Sequence, residues 1–176
     1  MKKRMSFNWM KLAVSFLFLL SGIMIFFKPA NLLNSWMNII LMTLFINTFI
    51  NIIVSKKEIN EENSVWIQVK SVMSLLFFLT LFVNKLFTVI VVSDIGFLFG
   101  IWFMLEMLTS IMQLKLIKPR IKQKSLFILF FMLVLMGVFL GTVLLVSPFI
   151  STLSVTTLIG LNFLILGGRN LIEGLV

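Results

Sequence analysis

Cysteine, histidine and tyrosine are absent from the 176 residues, only three prolines occur, and just 12% of the chain is charged. Each shortage removes a class of protein. Without cysteine there is no disulfide framework and no thiolate metal site. Without histidine there is no imidazole base, no histidine metal ligand and no near-neutral histidine switch. Soluble domains are about a quarter charged, so an ordinary water-soluble globule is excluded. A disordered chain needs low hydrophobicity, whereas 60% of these residues are hydrophobic and the mean hydropathy is +1.15. What is left is an integral membrane protein, with the lipid bilayer as its first partner.

A bilayer core about 30 Å thick takes about 20 apolar residues per helix at 1.5 Å rise. Three hydrophilic breaks divide the chain: Met1 to Arg4, Lys56 to Asn63 and Lys115 to Lys124. The apolar runs between them are about two spans long, so each folds back once, at Lys28-Pro29-Ala30-Asn31, Ser93-Asp94 and Ser147-Pro148. The sequence therefore predicts an all-α polytopic protein with spans Trp9–Phe27, Leu32–Val54, Val69–Phe87, Val91–Gln113, Leu126–Val146 and Ser151–Glu173. These form one membrane domain of three helical hairpins, residues 9–54, 69–113 and 126–173. Lys70 and Lys85 bracket the third span, and their stems are long enough to snorkel to the two interfaces. A β-barrel would need period-two alternation, which SLFILFFMLVLMGVFL lacks.

Cations sort to one side. Thirteen of the fifteen Lys and Arg flank the termini and the second and fourth links, leaving Lys28 and Lys85 for the other side. The positive-inside rule then places both termini in the cytoplasm. The net charge of +9 follows from this distribution and needs no nucleic-acid partner. The first segment reads as a span and not a cleaved signal, its apolar run being long and no small-x-small site preceding Asn31.

The hairpins resemble one another. A shift of 119 residues lays Gly22 on Gly141 and Pro29 on Pro148, and a shift of 60 lays Gly100 on Gly160. Leu81 and Thr88 in the middle copy, and Leu41 and Thr48 in the first, stand where the third has Gly141, Pro148, Gly160 and Gly167. A three-copy hairpin repeat with a period near 60 is the reading. Gly-(x)6-Pro closing one helix and Gly-(x)6-Gly in the next, best seen in Gly141–Pro148 and Gly160–Gly167, resembles the HdeD-like family of small bacterial membrane proteins. That resemblance covers nearly the whole chain. It implies six helices in three short repeats, a multi-pass place in the bacterial cytoplasmic (inner) membrane and an association with acid or envelope stress. It carries over no catalytic residue and no cofactor.

Glu106 is the one acid well inside a predicted span, nine residues before Lys115 and so about 13 Å from that end. A carboxyl at that depth is protonated, paired or facing water. One reading makes it a proton-carrying group; the plainer one hydrogen-bonds it to an Asn or Ser of another helix. Asp94 lies twelve residues away, too far to share a proton. Asn34 with Asn38, and Asn47 with Asn51, form i,i+4 pairs that either line a polar path or join helices. Gly96-xxx-Gly100 and Gly137-xxx-Gly141 are close-packing signals that also permit homo-oligomer contacts. Arg169 and Glu173 lie one turn apart and are expected to pair at the cytoplasmic interface. GGRNLIEG lacks the spacing and Lys-Ser/Thr pair of a phosphate loop. Phe and Met read as lipid-facing bulk and packing filler, and Trp9, Trp36 and Trp66 as interfacial anchors.

No nucleophile–base pair, metal cluster or cofactor motif occurs, so an enzyme is not expected. Two functions compete: a non-enzymatic HdeD-type protein of stress tolerance, and a small, oligomeric transporter or channel using Glu106 on an unidentified ion or solute.

Overall fold

A computed structural model describes residues 2–27, 37–58, 61–87, 92–119, 121, 123–146 and 152–175. They form six helices: α1 (Lys2–Phe27), α2 (Met37–Lys57), α3 (Glu61–Phe87), α4 (Val92–Ile117), α5 (Lys124–Leu145) and α6 (Thr152–Leu175). All six contain a stretch long and apolar enough to cross a membrane. Helix is the form such runs must take in lipid, where every backbone amide needs a partner within its own segment. Charges at the ends suit the helix dipoles. Glu61 and Glu62 begin α3 and Lys85 ends it, Asp94 begins α4 and Lys115 ends it, and Lys56 and Lys57 end α2.

One boundary differs from the sequence reading, while Asp94, which marked the second fold-back, stands in the first turn of α4, where an acid is stabilised, within the span read from Val91. Residues 61–68, read as link, are the first two turns of α3. Their polarity marks an end that leaves the apolar layer while the hydrogen-bonded helix continues. Pro29, Asn34, Trp36 and Pro148 lie outside the described residues.

Each helix touches the next, and α6 returns to α1, so the bundle closes as a ring. The most extensive contacts are α1 with α6, α2 with α3 and α4 with α5, and α4 also meets α6 across the middle. The even-numbered helices are the more enclosed: 44, 56 and 61% of their most apolar stretches are buried, against 33, 33 and 28% for α1, α3 and α5.

Glycine sets the spacing of two of these seams. A Cβ on Gly22 would stand 2.8 Å from the backbone N of Leu164 and 2.9 Å from the carbonyl of Gly160. On Gly100 it would stand 2.9 Å from the N of Leu145 and 3.1 Å from the carbonyl of Gly141. Those distances are below van der Waals contact with backbone that cannot rotate away, so α1–α6 and α4–α5 depend on bare Cα positions. Gly137 accommodates Met107, and Gly167 accommodates Leu19. Gly96 is buried in α4. Leu41 and Leu81, which the repeat reading aligns with Gly160 and Gly141, are both buried.

The middle of the ring is aromatic. Phe163 of α6 lies 5.4 Å from Phe18, 6.0 Å from Phe99, 6.1 Å from Trp102 and 5.8 Å from Phe103, and Phe77 stacks on Trp102 at 4.8 Å. These centroid separations are those of favourable offset and edge contacts. Part of the phenylalanine is thus core and not lipid-facing bulk. Phe16, Phe49, Phe131, Phe139 and Trp9 do face outward.

Candidate functional site

Polar side chains gather on the inner faces of four helices, toward the end of the ring that carries the start of α1 and the end of α6. On α3, Asn63, Lys70, Ser71 and Ser74 are buried, and on α4 Glu106, Thr109, Ser110 and Gln113. Their spacings of three, four, seven and eight put each set on one helical face. From α6 come Arg169, Asn170 and Glu173, and from α1 Lys11.

Glu106 is 3% exposed. Its Oε1 accepts from the Ser74 hydroxyl at 3.0 Å and its Oε2 from Nη2 of Arg169 at 3.4 Å. Nη1 of Arg169 donates to the Glu106 carbonyl at 3.3 Å and to Oγ of Ser110 at 2.7 Å. Nη2 and Nε donate to Oδ1 of Asn170 at 2.8 and 3.3 Å. The same Nε lies 3.7 Å from Oε1 of Glu173, whose Oε2 accepts from Nζ of Lys11 at 3.0 Å. The result is an unbroken ionic chain, Glu106–Arg169–Glu173–Lys11, joining α4, α6 and α1. Arg169 reaches that deep because side chains lean toward the N-terminus of their own helix, which for α6 is away from the nearby terminal end.

Arg169 and Glu173 pair as expected, but as part of a buried chain and not as a surface pair. Both lie within the bundle, Arg169 3% exposed, since α6 continues to Leu175 and its polar face turns to α4 and α1. Glu106 has the serine partner considered from sequence, together with a guanidinium that was not considered. Lys70 is corrected as well. It is buried at 6% exposure and does not snorkel, because Arg169, Glu173 and Gln113 provide polar surroundings inside the ring. Lys85 is exposed and donates to Asn38.

Asn47 and Asn51 join this network: Asn51 donates to Asn47 at 3.4 Å, and Asn47 to Oγ of Ser74 at 3.5 Å. Trp102 Nε1 donates to the same hydroxyl at 3.4 Å. Asn38 is remote, at the opposite end of α2. A second string runs from the link between α2 and α3: Asn63 donates to Glu58 at 2.7 Å, and Gln113 donates to Asn63 at 2.9 Å.

Between the two strings lies a small cleft of about 20 Å³, bordered by Lys11, Lys70, Gln113, Arg169 and Glu173. Its polar rim and apolar walls (Val14, Ile50 and Ile67) are closed in by side chains of all five elements other than α5. Among the described residues no three acids cluster in a way that could hold a metal ion.

Arg169, Lys70 and Gln113 were not singled out as site residues from the sequence. The periodic polar stripes on α3 and α4 are the signal that could have found Lys70 and Gln113. For Arg169 the rarity of any cation four residues from an acid in so apolar a helix was the available sign. No family model, no curated protein and no solved structure matches this chain, so the site stands on its own geometry.

Proposed function

We propose that this chain is a non-enzymatic, HdeD-type protein of the bacterial cytoplasmic membrane that supports survival of acid or envelope stress. The observation that carries the reading is the ionic chain Glu106–Arg169–Glu173–Lys11 buried inside a membrane bundle. Apolar side chains of similar volume hold helices together as well or better, so an internal ion chain points to use beyond stability.

The glycine seams support a three-copy architecture: Gly22 against Gly160 and Gly100 against Gly141 pair the same repeat positions. Leu41 and Leu81 hold the corresponding repeat positions in α2 and α3. The cation distribution supports the arrangement with both termini in the cytoplasm.

Deleting the gene and measuring survival at low pH tests this function. Survival should fall, should return with the wild-type gene, and should return only in part with Glu106→Gln. Unchanged survival in the deletion sinks the proposal. A second reading, a small transporter, is favoured by the polar cleft beside Lys70. Proton, ion or solute flux in proteoliposomes that responds to Glu106→Gln would select it over the first.

A further inference from the structure

The cleft between the two polar strings has its hydrogen-bond requirements fixed by its neighbours. Glu58 is a carboxylate and can only accept, so Asn63 turns its NH2 to it, at 2.7 Å. The Oδ1 of Asn63 accepts from the NH2 of Gln113 at 2.9 Å. With its NH2 turned to Asn63, Gln113 has its Oε1 left for another partner. The oxygen is buried and has no protein partner. Oε1 of Glu173, which also borders the cleft, lies 3.7 Å from Arg169 Nε but is likewise buried without a hydrogen-bond donor. Lys70 borders the same space, and among the described residues its ammonium makes neither a salt bridge nor a hydrogen bond.

The geometry points to a binding site for one water molecule, donating to Gln113 and Glu173 and accepting from Lys70. Two unfilled acceptors and one unfilled donor match the two hydrogens and a lone pair of water. The size matches too: about 20 Å³ is available, and a buried water needs roughly 10–15 Å³ and two to four polar partners. A cation in that place would meet Lys11, Lys70 and Arg169, and an anion would meet two bare acceptor oxygens. Only a small ligand that both donates and accepts satisfies every wall. With the water in place the strings become one, and Glu58 at the α2–α3 link is connected to Glu106 in the bundle interior.

This site goes beyond the stress role and does not depend on it. Hydroxyl-radical footprinting of the full chain in lipid nanodiscs tests it, because radicals made from a held water oxidise the side chains around it. Val14 and Ile67 border the cleft and are 3 and 4% exposed, while Ile40 and Leu44 are fully buried elsewhere. Oxidation at Val14 and Ile67 should exceed that at Ile40 and Leu44 several-fold. Equal yields at all four would overturn the site. Gln113→Met fills similar space without an acceptor and should bring the Val14 and Ile67 yields down to the level of Ile40. Unchanged yields in a folded Gln113→Met protein would overturn it as well. Should that variant fail to fold, the wild-type comparison decides alone.

Discussion

Arg169→Met is the sharpest perturbation of the ionic chain. Methionine keeps most of the stem and its packing, so the change removes the guanidinium and little else. Lost with it are the contacts to Glu106 Oε2 at 3.4 Å, to Ser110 at 2.7 Å, to Asn170 at 2.8 Å and the 3.7 Å approach to Glu173. Glu106 is left with Ser74 alone, its side chain 2% exposed. Removing one partner of a buried pair costs about 3–5 kcal/mol, most of it from the charge left behind. At about 2–4 °C per kcal/mol for a chain of this size, the midpoint of thermal unfolding should fall by roughly 6–20 °C. Glu106→Gln alone should cost less, since Arg169 keeps Ser110, Asn170 and Glu173. The decisive protein is the double variant. If Arg169 matters chiefly by neutralising Glu106, then adding Glu106→Gln to Arg169→Met should restore about 1–3 kcal/mol. Thermal or SDS unfolding in detergent measures all four proteins. Strictly additive costs, or an Arg169→Met protein as stable as wild type, would refute the idea that this pair is coupled.

Gly22→Ala should destabilise by about 1–3 kcal/mol through overpacking against backbone, despite its better helix propensity. Gly168→Ala meets only a Leu133 methyl at 3.4 Å and should be neutral or stabilising by up to about 1 kcal/mol; the same unfolding assay compares them. Leu81→Ala, at a fully buried position, should cost about 2–5 kcal/mol, whereas Phe139→Ala, 67% exposed, should stay within about 0.5 kcal/mol. Because the chain has no cysteine, single cysteines at Lys57, Lys118 and Phe87 report sidedness with a membrane-impermeant maleimide. In intact cells only the Phe87→Cys protein should react, and the reverse pattern would overturn the cytoplasmic placing of the termini.

The spans were legible because a run such as Leu126–Val146 has no stable place except lipid, whatever its neighbours. Trp9–Phe27 coincides with the apolar part of α1 for the same reason. Glu106 was legible because an acid at that depth is costly wherever it points. Its partner was not. Arg169 lies sixty-three residues away, and which helix it meets depends on how the ring closes and how α6 is rotated. Helices that are apolar nearly all round give little rotational information. Lys70 was misplaced for a related reason. Distance from a span's end says how far a lysine must reach to find water, but not whether a polar interior lies nearer.

Helix α6 is the least hydrophobic of the six spans, with a mean hydropathy of 1.4 against 2.8 for α5. Its two charged side chains find their partners on α1 and α4, segments synthesised before it. Left alone beside the translocon, α6 would bring Arg169 and Glu173 into hydrocarbon with only each other as partners. Docking against finished neighbours removes that penalty. Biogenesis is thereby ordered: α1 and α4 must be threaded and oriented before α6 can settle, and a nascent chain with either one misplaced would leave α6 stranded and open to membrane proteases.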